Sequence, residues 1–369
     1  MTGAGLTGAR RSGAGPAGRH ALVVRLDNAG DVLLAGPAVR AVAAHCERVS
    51  ILAGPRGAAA AQLLPGAGQV LSWQAPWVDL DPPPVTPGEI AALGTRLAAL
   101  GCTDALILTS FHQSPLPTAL VLRLAGIGRI AAISPDYPGS LLDVRHQLPD
   151  DMPEAERGLS LARAAGFTLP PGDDGRLAVR RPLPDVSALT GPGPYVTAHP
   201  GATAPARCWP VASWQAAVAE LARRGRRVVV TGGPAERGLT AAVAGACGAA
   251  DLGGRTSLAE LAGVLAGADA LVVGNTGAAH LAAAVGTPVV SLFAPVVPAV
   301  RWAPYRVPCV VLGDQDAPCR GSRAVRCPVA GHPCLTGVTA AQACDAVQQL
   351  APRPRPAAAG AARRTGTPA

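Results

Sequence analysis

Five stretches of this 369-residue sequence bring together residue types able to do chemistry. In the first, Asn28-Ala29-Gly30-Asp31, an apolar run gives way to a helical pattern. Gly30 would admit a close backbone approach, and Asp31 would stand in the first helical turn. Its carboxylate has two readings: an acid that stabilises the helix by about 1 kcal/mol or less, or a base that takes a proton from a hydroxyl. The second stretch runs from His199 to Pro210 and holds Thr203, with its hydroxyl, and Arg207, whose planar cation suits phosphate oxygens. Trp209 in that stretch is expected to pack against the helix that follows. The third, Thr231-Gly232-Gly233-Pro234-Ala235-Glu236, ends in an acid that either accepts from ribose hydroxyls or serves its own helix. The fourth is Gly274-Asn275-Thr276-Gly277-Ala278-Ala279-His280. A short glycine turn into a helix aims free N–H groups at an anion, so this is a pyrophosphate cradle. Thr276 adds a hydroxyl and Gly277 leaves room; His280, one turn in, is either near the ligand or a buried structural histidine. The fifth groups Cys319, Cys327, His332 and Cys334, which could bind zinc but lack the usual Cys-x2-Cys pair. A loop of reduced thiols is the expectation there, with no metal.

Such residues need a frame. Short apolar, β-branched runs at 21–26, 49–53, 69–72, 104–109 and 129–133 alternate with helical patterns at 32–44, 87–100 and 115–124. Runs without strict alternation suit strands buried on both faces of a parallel sheet. Pro and Gly break the pattern near 180–194. A second series follows, with strands at 195–199, 227–231, 270–274 and 289–293 and helices at 211–224, 235–246, 258–266 and 277–285. The expectation is an α/β chain of two doubly wound, Rossmann-like domains (21–180 and 195–350) joined by a linker (181–194) and facing a cleft. The first, second, third and fourth stretches would then all lie where strands end and helices begin.

Composition narrows the partners. Hydrophobic residues make up 49% of the chain, enough for two cores, but only 3% of residues are aromatic, which argues against stacking on bases. Of the net charge of +8, seven units come from Arg residues within 1–20 and 351–369, which contain no acid. The body between them has 25 Arg against 24 acids, so nucleic acid is not an expected partner. The two ends read as disordered basic tails that would favour an anionic membrane surface only weakly. No apolar run reads as a signal peptide or a membrane span, and nine scattered Cys suit a reducing compartment. The expected location is the cytoplasm, at the inner membrane face if the tails reach it. The chain contains no Lys at all.

In their order, the motifs resemble the bacterial ADP-heptose–lipopolysaccharide heptosyltransferases, glycosyltransferase family 9. The likeness covers residues 21–350. It rests on Gly30-Asp31-Val32-Leu33-Leu34 with Pro37-Ala38-Val39-Arg40, on His199-Pro200-Gly201-Ala202, and on Arg207-Cys208-Trp209-Pro210. It continues through Gly232–Glu236, Arg255-Thr256-Ser257-Leu258-Ala259-Glu260-Leu261, the stretch from Asn275 to Ala284, and the loop from Cys327 to Cys334. The resemblance implies a GT-B fold and inverting transfer of a heptose-like sugar from a nucleoside-diphosphate donor, ADP-linked, to a glycan or lipid-linked acceptor. It implies that Asp31 is the general base and that Arg207, where the family usually has Lys, neutralises the leaving diphosphate. Thr203, Thr276 and Gly277 match positions around that diphosphate, with His280 close by. Glu236 matches a ribose-binding residue and Thr256 a position in the nucleoside pocket. Asn275 stands where many relatives have an Asp that contacts the donor sugar. No cofactor is implied. Two other functions share the same frame, a nucleotide-sugar epimerase and a non-catalytic nucleotide-sugar binding protein. A dehydrogenase is disfavoured because no G-x-G-x-x-G fingerprint is present.

Overall fold

Wholly apolar strands bounded by glycine or polar turns bury both faces, and the chain builds two sheets from them. A computed structural model describes residues 18–352 apart from 80, 149 and 150. Its first sheet contains β1 (His20–Arg25), β2 (Arg48–Ala53), β3 (Val70–Ser72), β4 (Asp104–Ile107), β5 (Arg129–Ile133) and β6 (Val144–His146). All pair in parallel, in the order β3-β2-β1-β4-β5-β6. The second contains β7 (Val196–His199), β8 (Val228–Gly232), β9 (Ala250–Gly253), β10 (Ala270–Gly274), β11 (Val289–Leu292) and β12 (Cys309–Leu312). It repeats the plan, in the order β12-β11-β10-β7-β8-β9.

In each sheet the winding reverses beside the first strand, between β1 and β4 and between β7 and β10. Loops leaving the carboxyl ends of such strands diverge and open a crevice. The two crevices face each other. Helix Ala29–Leu34, after β1, packs on helix Gly277–Val285, after β10. The contact is backbone to backbone: a Cβ built on Gly30 would stand 2.8 Å from the His280 ring and 3.1 Å from Gly277 Cα. One buried apolar cluster is shared by both halves, holding Val32, Leu33 and Leu64 together with Leu261 and Leu281. A further bridge comes from the segment after β11. There Arg301 reaches Glu154 (3.5 Å), Tyr305 Oη donates to Glu156 (3.0 Å), and Arg306 lies 3.6 Å from Glu156.

Several boundaries differ from the sequence reading. Residues 32–44 form two helices, Ala29–Leu34 and Gly36–Ala43, because Pro37 has no N–H to continue the ladder. The helix at 235–246 opens as a 3-10 turn, Pro234–Glu236, before Arg237–Ala244. Edge strands β6, β9 and β12 were not anticipated; they have only three or four residues each, and all are partly exposed. Residues 181–194 contain a short helix, Ser187–Thr190. The amino-terminal tail, drawn to residue 20, is too long. His20 opens β1, and Arg19 pairs with Asp104 at 2.6 Å, so one of the supposed tail charges is neutralised in the fold. At the other end Ala351 is buried and its carbonyl accepts from Arg226. The remaining tail residues, 1–17 and 353–369, lie outside the described residues.

Candidate active site

The amino-terminal wall of the cleft is built on Arg25, the last residue of β1. Its guanidinium is almost wholly buried and lies 2.8 Å from Asp27, 3.1 Å from Asp31 and 3.8 Å from Glu154. It also donates to Ser110 Oγ (3.0 Å). Burial works against its charge, but Asp27, Asp31 and Glu154 outweigh it, so its pKa is above the ordinary value. The reverse holds for Asp27 and Glu154: burial pushes both carboxyls up, and Arg25 opposes the shift. Gln113 donates to Asp27 at 2.6 Å.

Asp31 does not cap its helix. Its Oδ1 accepts from Arg25 Nη2 (3.1 Å) and from Trp302 Nε1 (3.2 Å), the latter reaching over from the other half. Oδ2 has no hydrogen bond among the described residues. The neighbouring Asn28 accepts from Arg56 Nε at 2.8 Å.

The opposite wall comes from two loops. After β7 the chain turns through a 3-10 segment, Pro205–Arg207, that carries Arg207 inward. Arg207 forms no ion pair within 4.0 Å among the described residues, and its buried Nε has no partner. Burial lowers its pKa, and Asp31 is the carboxylate that opposes the shift. After β10, Thr276 precedes helix Gly277–Val285 in an extended conformation and makes no side-chain cap. The Gly277 and Ala278 amides at the start of that helix are thus left for a ligand, whereas Ala279 N–H donates to the Thr276 carbonyl (3.1 Å). Asn275 is buried with Oδ1 unpartnered, and His280 is buried with Nδ1 unpartnered. Buried polar atoms are nearly always bonded, so three orphans on one wall mark a place where something polar binds.

These walls enclose a cavity of about 210 Å³ that Asp31, Thr203, Arg207, Asn275, Thr276, Gly277 and His280 all line. Seven of the nine residues singled out in the sequence therefore share one space. Glu236 and Thr256 do not line it. Glu236 Oε2 accepts from Gly233 N–H (2.7 Å), which serves its own turn, and Oε1 has no hydrogen bond among the described residues. Thr256 is half-buried just before the cap of helix Leu258–Gly267. Both nevertheless follow β8 and β9, so the four motif loops of this half stand in the order β10, β7, β8, β9 along one sheet edge. At about 4.8 Å per strand, the row extends about 14 Å, a groove long enough for a nucleoside diphosphate.

Sequence reasoning missed Arg25, Asp27, Glu154, Trp302 and, at the cleft mouth, Arg323. Only Ser110-Phe111-His112-Gln113 left a readable trace, a polar turn directly after an apolar strand. The chain also holds two Asp-x-Asp triplets, at 79–81 and 314–316. Asp79 is bound to Arg56 and Gln74, Asp316 to Arg320, and neither triplet lines the cavity. All nine cysteines are free. Cys319 and Cys334 are buried in the second core, where burial lifts Cys334 to about 12 with Cys319 adding to the shift. His332 Nε2 bonds the Ala206 carbonyl at 3.0 Å. Among the described residues no group of three or more His, Cys, Asp or Glu is arranged for a metal ion.

Burial depresses the His280 imidazole from 6.5 to about 4, with Asp31 opposing the shift and Arg207 adding to it. The unfolded chain therefore takes up this proton first. The stability tied to the neutral ring is complete above about pH 6.5 and is lost as pH falls towards 4. At most about 3 kcal/mol is involved. In His280→Gln, the decline in stability between those two pH values is expected to become shallower by up to that amount, read from urea midpoints. His20, His112, His146 and His199 are also lowered by burial, so the comparison with the parent matters. An unchanged slope would contradict a neutral, buried His280.

A carboxylate with one free oxygen thus faces an unpaired cation and a helix amino end over a shared gap. That combination can deprotonate a nucleophile on one side and receive a departing anion on the other. Residues 111–330 match the model for glycosyltransferase family 9 (heptosyltransferase). The chain belongs to that family. It is similar to lipopolysaccharide heptosyltransferase 1 of Pseudomonas aeruginosa, 39% identical over 127 residues, which span 34% of this chain and 35% of the relative. The match thus covers about a third of the length of that curated relative. Two solved family structures resemble the fold over nearly their whole length. The ADP-heptose lps heptosyltransferase II of E. coli superposes with a TM-score of 0.70 at 19% identity, over 90% of this chain and 98% of that one. The E. coli heptosyltransferase WaaC with ADP-2-deoxy-2-fluoro heptose gives 0.66 at 20% identity, over 89% and 99%. At these identities the likeness establishes the GT-B fold that the family shares.

Proposed function

We propose that this family member transfers a heptose-like sugar from an ADP-linked donor to a hydroxyl of a glycan or lipid-linked acceptor, with inversion. The carrying observation is the placement of Asp31 opposite Arg207 and the helix end at Thr276 and Gly277, all lining one cavity. Asp31 Oδ2 takes the acceptor proton as the acceptor oxygen forms its bond to the anomeric carbon. The bond from that carbon to the diphosphate oxygen breaks, and the leaving charge falls on Arg207 and the free amides. One displacement inverts the anomeric configuration. Thr203 and His280 flank the diphosphate, Asn275 faces the sugar, and Glu236 Oε1 and Thr256 hold the nucleoside further along the sheet edge. Residues 21–180 then serve as the acceptor domain, 195–350 as the donor domain and 181–194 as the linker. ADP as the nucleotide draws support from the family relatives whose names carry ADP-heptose.

Among the described residues no helix is long and apolar enough to cross a membrane. Nine unpaired cysteines support a reducing, cytoplasmic setting, and a lipid-linked acceptor would bring the protein to the inner membrane face. The weak membrane contact proposed for the tails rests on their arginines alone.

The test is a thermal-shift screen of nucleoside-diphosphate sugars. A donor present at a hundredfold its Kd adds about 2.7 kcal/mol, a rise of several degrees in Tm. ADP-sugars are expected to stabilise most. Stabilisation confined to UDP- or GDP-sugars would overturn the ADP assignment, and stabilisation by none would overturn the donor site. Turnover of the donor in the absence of any acceptor would favour the epimerase reading.

A further inference from the structure

Trp302 makes the only hydrogen bond to the Asp31 carboxylate, among the described residues, that comes from the other half of the molecule. It lies between β11 and β12, in a segment that leaves the second sheet and settles on helix Glu154–Ala164 of the first half. Arg301, 4% exposed, bonds Glu154, and Tyr305 donates to Glu156. The indole lies 5.8 Å from the Phe111 ring at a 55° tilt, which fixes its plane beside the cleft. Its Nε1 then donates to Oδ1, the oxygen that Arg25 already holds. The terminal torsion of an aspartate is broad and weakly determined on its own. Two donors converging on one oxygen from different directions set the carboxylate plane and leave the second oxygen bare towards the cavity.

We infer that Trp302 is a positioning residue for the reaction: delivered across the cleft, it orients Asp31 so that Oδ2 meets the acceptor hydroxyl. The inference rests on the reading of Asp31 as base. It makes the base a shared structure, complete only while the two halves are together as they are here. In an opened cleft Arg25 alone would hold the carboxylate, and its orientation would relax. Proton removal would thereby be confined to the closed arrangement, in which water has less access to the donor.

The test uses the full-length chain with Trp302→Phe, which keeps a ring against Phe111 but has no N–H, and Trp302→His, which keeps a ring donor. A lost hydrogen bond to a charged group corresponds to about a tenfold change in rate. Trp302→Phe is expected to lower kcat about tenfold with donor KM, donor affinity and Tm unchanged, and Trp302→His to recover part of the loss. Parental kcat in Trp302→Phe overturns the inference. So does an equal loss in both variants together with weakened donor binding, which would reveal a packing role. Asp31→Asn, measured alongside, separates the two levels. If it is inactive while Trp302→Phe is parental, only the present inference fails; if it keeps parental activity, the base reading itself fails.

Discussion

Asp31→Asn is expected to reduce kcat by about 10²–10⁴-fold while leaving donor affinity close to parental. The substitution is nearly isosteric. Its side-chain oxygen can still accept from Arg25 and Trp302, so both local contacts survive. Arg25 keeps Asp27 at 2.8 Å and Glu154 at 3.8 Å, so the buried cation is not left without counter-charge and the fold should hold. What disappears is an oxygen able to accept a proton. The measurement is steady-state sugar transfer with donor binding followed by calorimetry. Transfer at the parental rate would remove Asp31 from the chemistry.

Arg207→Met should produce two opposite effects. Transfer should fall by about 10²–10³-fold, the usual cost of removing a preorganised group from the developing anion, and donor binding should weaken with it. The ligand-free protein, however, should gain stability. Arg207 has no carboxylate within ion-pair distance among the described residues, its Nε is an orphan, and burial depresses its pKa. Methionine fills a similar length without a desolvated charge. A higher Tm without ligand, combined with the loss of ligand-induced stabilisation, would identify a residue kept for function at the expense of the fold. Arg207→Lys should retain most of the activity, since a compact cation can still meet a diphosphate, although the planar fork is gone. A lower Tm in Arg207→Met would mean the guanidinium is satisfied in the free protein.

The strands and most of the site loops were legible because both obey local rules. Apolar runs such as Val228–Gly232 and Ala270–Gly274 announce buried parallel strands, and a glycine or hydroxyl residue after such a run announces a ligand loop. Local rules also explain the partial failures. Pro37 was read inside one helix, whereas its missing N–H divides the segment in two. β9 and β12 are short edge strands whose composition resembles their surrounding turns. Nothing local could have revealed Trp302, which lies 271 residues from Asp31 in sequence and 3.2 Å away in space. The same holds for Glu154, an acid in the first turn of an unremarked helix that becomes part of the site only once Arg25 and Arg301 reach it. Pairwise geometry of this kind is set by which strands neighbour one another, and a single sequence does not display it.

The meeting of Gly30 with Gly277 leaves no room for even one more carbon atom between the two walls. Alanine is abundant throughout this chain, yet a methyl group at position 30 would stand inside contact range of an imidazole and a neighbouring main chain. The gauge of the reaction chamber is therefore written in a hydrogen, the smallest substituent biology has, at the point where the two walls touch.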